Sequence, residues 1–239
     1  MIRVAVAGVR GRMGRVAVKA IASASGLVYA GGFARVADVD DSVYGDLGTL
    51  LRDARPDVLV DFTTQPASFS VSMEAINHGV RPVIGATGWS ESEREALDAA
   101  ARARGLGAML VPNFSLGALL MMHFAEEAAR FFPSAEIVEL HHPAKKDAPS
   151  GTSRLTAERI TAAGGPADVP IHSVRMHGLL AHQEVMFGID GEVLTIRHDS
   201  LARESFAPGI VAAILHVPSV TGLEVGLPLE ALRPSTSSG

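Results

Sequence analysis

The sequence predicts an α/β protein with a doubly wound parallel sheet in its first part and an antiparallel or mixed sheet with flanking helices in its second part. Short apolar strands alternate with helical segments as far as residue 113, as in parallel sheets with helical crossovers. A glycine-rich turn follows the first strand, and long extended runs begin near residue 171. A chain of 239 residues is long enough for two small domains.

The first part is predicted to contain five strands and three helices. The continuous apolar run at 58–60 is typical of a strand buried in a parallel sheet. Gly79 and Gly105 are expected to end helices, and Ser90 with Glu93 forms a capping-box pattern. The predicted strands are 2–7, 27–33, 57–62, 82–84 and 108–111, and the predicted helices are 15–23, 66–78 and 90–104.

The second part is predicted to begin with one long helix that stops before Pro133. The dipeptide Asp190-Gly191 is a strong hairpin signal between two extended runs. The predicted helices are 116–132, 150–163 and 207–216, and the predicted strands are 135–140, 173–176, 181–188 and 193–200. Residues 233–239 are expected to be frayed.

Composition excludes several classes of protein. Acidic residues number 26 and basic residues 21, for a net charge of −5, which argues against a strongly basic nucleic-acid or membrane-surface binder. The absence of cysteine excludes disulfides, a thiolate nucleophile and Cys-ligated metals. No apolar run approaches the ~18–20 residues that span a bilayer, and the first residues read as a strand, so a cytoplasmic protein is expected.

The turn after the first strand carries glycines at positions 8, 11 and 14, a variant of the dinucleotide-binding fingerprint. Gly8 permits the tight turn, Gly11 lets a pyrophosphate approach the backbone, and Gly14 lets the helix pack closely on the strand. The helix N-terminus offers N–H groups to an anion, and Arg10 and Arg12 add positive charge. An ordinary strand-to-helix turn is the alternative, but its place at the start of the alternating half favours a Rossmann-like domain.

The end of the second predicted strand bears on the choice of nicotinamide cofactor. An acidic residue there binds the ribose 2′-hydroxyl of NADH, whereas an arginine accommodates the 2′-phosphate of NADPH. Here the strand ends with Ala34 and Arg35, and Asp38 and Asp40 follow in the loop. The sequence therefore favours NADPH, with NADH as the alternative if Asp38 folds back onto the ribose.

The segment 139–152, ELHHPAKKDAPSGT, concentrates two of the nine histidines and two of the three lysines of the chain. It also opens a predicted helix, whose N–H groups and hydroxyls can hold a carboxylate. Such a loop suits a small polyanionic substrate and contains groups that move protons. Two other interpretations stay open: a metal site, for which the sequence places no third ligand, and a solvated charged turn.

Several stretches resemble the dihydrodipicolinate reductase (4-hydroxy-tetrahydrodipicolinate reductase) family. They lie in the family's order at 6–14, 60–63, 83–88, 113–117 and 139–152, and the pattern Glu-x-His-His-x-x-Lys-x-Asp-Ala-Pro-Ser-Gly-Thr is specific. The resemblance implies NAD(P)H-dependent reduction of 4-hydroxy-tetrahydrodipicolinate to tetrahydrodipicolinate, in the diaminopimelate route to lysine.

The resemblance also implies roles for individual residues and no metal. His141 would be the general acid/base and Lys145 the proton donor. The substrate's carboxylates would be held by His142, Ser150, Gly151, Thr152 and Thr87. The cofactor would contact Gly8, Val9, Arg10, Gly11, Arg12, Met13, Arg35, Phe62, Thr63, Gly85, Ala86, Thr87, Val111, Pro112, Asn113 and Phe114.

In this family residues 1–114 plus about 208–239 would form the dinucleotide-binding domain. Residues 115–207 would form the substrate domain, whose open mixed sheet builds a homotetramer. Pro143 and Ala144 depart from the Arg and His of some members, which affects auxiliary carboxylate contacts. Two rival functions remain: another NAD(P)-dependent imine or keto-acid reductase, and a non-catalytic dinucleotide-binding regulator.

Overall fold

A computed structural model describes residues 1–38 and 42–232 of the protein. The chain divides into two compact units, Met1–Phe114 with Phe206–Gly239, and Ser115–Ser205. The predicted frayed tail at 233–239, and Asp40 of the cofactor argument, lie outside the described residues.

The first unit is built on a seven-stranded, wholly parallel sheet with the order β11-β6-β5-β4-β1-β2-β3. Its strands are β1 Ile2–Ala7, β2 Leu27–Phe33, β3 Val43–Tyr44, β4 Val58–Asp61, β5 Arg81–Ile84, β6 Gly107–Leu110 and β11 Gly222–Val225. Its helices are α1 Arg12–Ser23, α2 Leu47–Ala54, α3 Ala67–Asn77, α4 Glu91–Ala103 and α7 Ala207–His216. The predicted doubly wound class is confirmed.

The central strands of this sheet are buried because helices cover both faces. All four residues of β4 and the last four of β1 are buried, which is the environment that continuous apolar runs predict. Helix α4 begins with the predicted capping box of Ser90 and Glu93. Gly79 and Gly105 follow helices with positive φ, as expected of helix-terminating glycines.

The structure corrects the sequence prediction for four elements of this unit. Helix α1 begins at Arg12, three residues earlier than predicted, because Gly11 already serves as its N-cap. Helix α2 and strands β3 and β11 were not predicted. The two strands have only two and four residues, too few for a readable alternation, and α2 is one short amphipathic segment capped by Asp46.

The second unit contains a separate four-stranded sheet with the order β10-β9-β7-β8. Its elements are α5 Leu116–Ala129, β7 Ser134–His141, α6 Gly151–Ala162, β8 Ile171–Arg175, β9 Ala181–Ile189 and β10 Glu192–Ser200. Strands β7 and β8 are parallel, whereas β9 runs antiparallel to β7 and β10. The predicted mixed sheet and the hairpin at Asp190-Gly191 are thus confirmed; β8 begins two residues before its predicted start, and α5 ends three residues before its predicted end.

Candidate active site

The first candidate site lies at the carboxyl ends of β1, β4, β5 and β6, which are neighbours in the first sheet. The chain leaves β1 for β2 on one side, whereas β4 pairs with β1 on the other side. This reversal is a topological switch point, where open α/β sheets form a ligand crevice. The sequence-predicted cofactor residues of four segments follow directly after these strands: 8–13, 62–63, 85–87 and 111–114.

The glycine loop has a shape that side chains would prevent. Gly8 has φ +73°, and a Cβ built on it would lie 2.7 Å from the carbonyl oxygen of Phe62. A Cβ on Gly14 would lie 2.3 Å from the carbonyl oxygen of Gly8. The two glycines therefore allow the loop to lie against the end of β4 and the helix to lie against the loop.

The start of α1 is suited to an anion. Its N-cap residue, Gly11, has no side chain to cap the helix, and the first turn contains no acidic residue. The N–H groups of a helix's first turn lack intrahelical acceptors and carry partial positive charge. Arg12 is exposed and Met13 half-buried in that turn. These features fit the pyrophosphate of a dinucleotide, which would fill the space beside the glycines.

The loop is also fixed to the end of β2. The carbonyl oxygen of Phe33 accepts hydrogen bonds from the N–H groups of Gly8 at 3.0 Å and Val9 at 3.4 Å, and the Val9 side chain is buried. Arg10 Nη2 lies 3.1 Å from Asp38 Oδ2 in an ion pair. Asp38 is therefore engaged with Arg10, while Arg35 is exposed just beyond the strand.

Two aromatic rings form an apolar wall beside this loop. Phe62 and Phe114 meet edge to face with their ring centroids 5.5 Å apart. A Cβ on Gly85 would lie 2.3 Å from Phe62 Cε1 and 3.1 Å from Phe114 Cε2, so the wall needs glycine there. Among the other predicted cofactor residues of these two segments, Ala86 and Val111 are buried, whereas Thr87 and Pro112 are exposed.

The buried carboxylate of Asp61 orders the loop that carries this wall. Its Oδ1 accepts hydrogen bonds from the backbone N–H of Thr63 at 2.8 Å and from Thr63 Oγ1 at 2.6 Å, and its Oδ2 accepts one from Ser68 Oγ at 2.6 Å. Burial raises the pKa of Asp61 despite these hydrogen bonds. Its partners are groups of Thr63 in the loop and the hydroxyl of Ser68 in the first turn of α3, so we assign Asp61 to fixing the loop against that helix.

The second candidate site is the loop between β7 and α6, which we call the cationic loop (residues 141–152). Lys145 Nζ lies 2.9 Å from Asp147 Oδ1 and 3.0 Å from its Oδ2. Burial works against ionisation of Asp147, but the hydrogen bond and the charge of Lys145 lower its pKa. The turn is closed by the backbone N–H of Lys145, which donates to the carbonyl oxygen of His142 at 3.1 Å. The lysine is thereby held at a defined point of the loop.

His141 is hydrogen-bonded to the carboxylate of Glu139, a residue to which the sequence assigned no role. Its Nδ1 is hydrogen-bonded to Glu139 Oε2, and Glu139 is completely buried. Arg175 on β8 donates to both oxygens of the same carboxylate, at 2.9 and 2.7 Å. Burial would raise the pKa of Glu139, but hydrogen bonds from Arg175, Ser173 and His141 lower it. Burial lowers the pKa of His141 and outweighs the attraction of Glu139.

The other end of the cationic loop is the N-terminus of α6. Ser150 is buried, and its Oγ caps the helix by accepting from the N–H of Ser153 at 3.2 Å. Ser153 Oγ in turn donates to Gln183 Oε1 on β9 at 2.8 Å. Gly151 is exposed, and a Cβ there would meet nothing within 4 Å. The helix start is thus fixed to the sheet on its inner side and leaves open space at Gly151.

The structure therefore brings the predicted residues into two groups. The cofactor residues gather in the first unit, and His141, His142, Lys145, Ser150, Gly151 and Thr152 gather in the second. Thr87 belongs to the first unit. Glu139, Asp147 and Arg175 were missed as functional residues. The first two lie inside the matching motif, but no sequence signal places Arg175 opposite His141.

Among residues 1–38 and 42–232, no group of three or more His, Cys, Asp or Glu side chains is arranged to hold a metal ion. In the same part of the chain, no helix combines the length and apolarity required to cross a membrane.

Comparison with known proteins gives matches over nearly the whole chain. Residues 2–114 match the family model described as dihydrodipicolinate reductase, N-terminus, and residues 117–226 match its C-terminus. The 4-hydroxy-tetrahydrodipicolinate reductases of Bacillus velezensis and Moorella thermoacetica are 40% and 43% identical, and each alignment covers 95% of this chain and 96% of the relative.

A solved structure extends this likeness to three dimensions. The dipicolinate-bound dihydrodipicolinate reductase from Paenisporosarcina sp. TG-14 superimposes with a TM-score of 0.83 at 36% identity, covering 95% of this chain and 98% of that one. An amine dehydrogenase from Mycobacterium smegmatis has a TM-score of 0.69 at 15% identity and shares the fold alone.

We predict that Gly14→Ala abolishes tight binding of reduced nicotinamide dinucleotide, because the added methyl group would push α1 away from the loop. Fluorescence titration of the purified protein with NADPH and NADH measures this, with an expected loss of at least tenfold in affinity. The matched control is Gly45→Ala, whose added Cβ would lie at an ordinary 3.5 Å from Ala37. Equal affinity in Gly14→Ala and the native protein would contradict the assignment.

Proposed function

This chain belongs to the dihydrodipicolinate reductase family, and we propose that it reduces 4-hydroxy-tetrahydrodipicolinate to tetrahydrodipicolinate with a nicotinamide dinucleotide, in the diaminopimelate route to lysine. The observation that carries the proposal is the family match over both units together with an intact cationic loop. The bound cofactor supplies a hydride. The remaining steps fall to the side chains of the chain itself.

We assign the proton transfer to Lys145. After the substrate's hydroxyl has left as water, a ring carbon conjugated with the imine accepts the hydride, and negative charge develops on the neighbouring carbon. The Lys145 ammonium stabilises that charge and donates its proton to the neighbouring carbon; Asp147, at 2.9 Å, orients it. A positioned proton donor contributes about 10²–10⁴-fold to the rate.

His141 takes the complementary role of base. Burial lowers the pKa of His141, which favours the neutral imidazole, the form that accepts a proton. Because Glu139 occupies Nδ1, Nε2 is the atom left for exchanging a proton with solvent or with Lys145. This refines the general acid/base role that the family resemblance implies.

The substrate's two carboxylates call for N–H and hydroxyl donors. We assign them to His142 and to the α6 N-terminus at Gly151 and Thr152, with Thr87 as a further hydroxyl donor. The buried hydroxyl of Ser150 already caps the helix, so its contribution is to fix that N-terminus. The dipicolinate bound to the solved relative supports a small dicarboxylate as the ligand class.

NADPH is the favoured cofactor, with NADH as the alternative. Ala34 cannot accept a hydrogen bond from a ribose hydroxyl, and Asp38 is paired with Arg10. Arg35 is exposed at the end of β2, where a 2′-phosphate lies in enzymes of this fold. A 2′-phosphate there would gain a contact with Arg35, whereas a ribose 2′-hydroxyl would have to displace Arg10 from Asp38.

We further propose a homotetramer assembled through the open face of the second sheet. Leu194 on β10 pairs with the buried Phe187 on β9, so both side chains lie on the face of the sheet that the helices cover. Because side chains alternate along a strand, Val193 lies on the opposite face. Val193 is 70% exposed, and the same face carries Glu184, Arg197 and Asp199 in a charge network. An apolar side chain beside polar pairs suits contact with a second copy.

The two rival functions make different predictions. Another imine or keto-acid reductase would prefer a different substrate in an assay panel, and a regulator would bind cofactor without turnover. Freshly generated adduct of aspartate semialdehyde and pyruvate, assayed by absorbance with NADPH and NADH, separates all three. The family match favours turnover with this adduct.

We predict that Lys145→Ala lowers kcat by at least 100-fold while NADPH affinity stays unchanged, because the proton donor is lost and the cofactor residues are intact. Lys146→Ala is the matched control: it removes the same charge from the next, exposed residue and should retain at least half of kcat. Native turnover by Lys145→Ala would overturn the catalytic assignment.

We predict that Arg35→Ala reduces the ratio of kcat/KM for NADPH to that for NADH by at least tenfold, since only the 2′-phosphate loses a contact. Steady-state kinetics with both cofactors measure the ratio. Arg52→Ala, on helix α2, serves as the charge-matched control. An unchanged ratio in Arg35→Ala would remove Arg35 from cofactor selection.

We predict that the native protein sediments with the mass of four chains and that Val193→Asp sediments as a smaller species with unchanged circular dichroism. The aspartate would have to be desolvated in the proposed interface. Sedimentation velocity at several concentrations measures both. A native monomer would contradict the proposed assembly.

A further inference from the structure

The buried carboxylate of Glu139 is shared by two partners from neighbouring strands. Glu139 and His141 are two residues apart on β7 and so lie on the same face of the sheet. Arg175 pairs with His141 in the parallel register of β7 and β8, yet its guanidinium reaches back to Glu139. Glu139 Oε2 accepts hydrogen bonds from His141 Nδ1 and Arg175 Nη1, and Glu139 Oε1 accepts one from Arg175 Nη2.

Stability alone does not account for this arrangement. Removing a carboxylate and a guanidinium from water costs about several kcal/mol per ion, and well-packed apolar residues often replace such a pair without loss. The neighbouring positions on this face of β7, Ala135 and Ile137, are apolar and buried. A charge at the third position, in contact with the imidazole of the cationic loop, indicates a functional purpose.

The same guanidinium also holds the cationic loop. Arg175 Nη2 donates to the backbone carbonyl oxygen of Asp147 at 2.6 Å, and the Asp147 carboxylate binds Lys145 Nζ. Arg175 therefore connects Glu139, the hydrogen-bond partner of His141, with Asp147, which orients Lys145. Arg175 is mostly shielded from solvent, with 19% of its side chain exposed.

We propose that Glu139 and Arg175 are positioning residues for the reduction: Glu139 fixes His141 as the Nδ1–H tautomer with a free Nε2 lone pair, and Arg175 balances the carboxylate so that the imidazole stays neutral. This inference rests on the proposed function of the cationic loop. In the neutral imidazole one nitrogen donates and the other accepts, and the partner of the donor decides which is which. Glu139, an ionised acceptor, requires the proton on Nδ1.

The charged groups that face His141 act in opposite directions. Glu139 on β7 favours the imidazolium, whereas Lys145 in the loop and Arg175 on β8 disfavour it. Strand β9 places Ala181, without charge, opposite His141. Burial adds to the two cations, so the pKa of His141 lies below its ordinary value. Removing Glu139 should lower this pKa further, and removing Arg175 should raise it.

The first test is the ¹⁵N NMR spectrum of the imidazoles in the native protein, with His141 identified by its loss in His141→Gln. We expect a neutral ring at pH 7 with the proton on Nδ1. In Glu139→Gln the amide oxygen satisfies Arg175 and its NH₂ group faces Nδ1, so the proton should move to Nε2. A native ring that is protonated on both nitrogens, or on Nε2 alone, overturns the proposal.

The second test is the pH dependence of kcat. Glu139→Gln should lower kcat by about 10- to 100-fold, as loss of a residue that orients a functional histidine does elsewhere, with the KM for NADPH unchanged. The acid limb should move to lower pH in Glu139→Gln and to higher pH in Arg175→Gln. Opposite shifts are not expected from a merely structural defect. Native kcat with an unmoved acid limb in both variants overturns the proposal.

Glu224→Gln is the matched control, because Glu224 forms a carboxylate–histidine pair with His216 at 3.2 Å in the first unit. It should keep native kcat and pH dependence. If either site variant fails to fold, the native spectrum still decides the tautomer. Because that spectrum needs no turnover, it also separates failure of this inference from failure of the proposed function.

Discussion

A carboxylate buried beneath the cationic loop is the constraint on which the chemistry proposed for the second unit depends. Glu139 is completely buried, so hydrogen-bond donors of the protein must stabilise its charge. Those donors are Arg175, Ser173 and His141, which belong to two adjacent strands. The strand register that satisfies one buried ion thereby also fixes the ring of His141 and, through Asp147, the position of Lys145.

The first unit relies on a different constraint, the close approach of backbone segments. Gly8 and Gly14 bring β1, α1 and the end of β4 within distances that a methyl group would prevent. The approach leaves uncapped N–H groups at the start of α1 and an apolar wall of Phe62 and Phe114. The first unit is therefore suited to a dinucleotide, and we propose that the second unit holds the diacid and moves the proton.

Much of this was accessible from the sequence because it depends on local patterns. Strand-helix alternation and glycine spacing predicted the parallel sheet and its dinucleotide-binding turn, and the concentration of histidine and lysine in residues 139–152 indicated the cationic loop. The role of Arg175 was not accessible, since it arises from pairing between strands 36 residues apart. Strand β11 was missed for a similar reason: a four-residue edge strand forms only when β6 offers it a partner. Pairing across the chain leaves no periodic signal in a single sequence.

The reaction of this family transfers a hydride from a nicotinamide cofactor to the conjugated imine of a small diacid. The most direct measurement uses NADPH that carries deuterium at both C4 positions. NMR follows the label into the product formed from the aspartate semialdehyde–pyruvate adduct. We expect one deuterium, retained at a single ring carbon of tetrahydrodipicolinate, for each NADPH oxidised. Absence of turnover, or oxidation of NADPH without deuterium in the product, would contradict it.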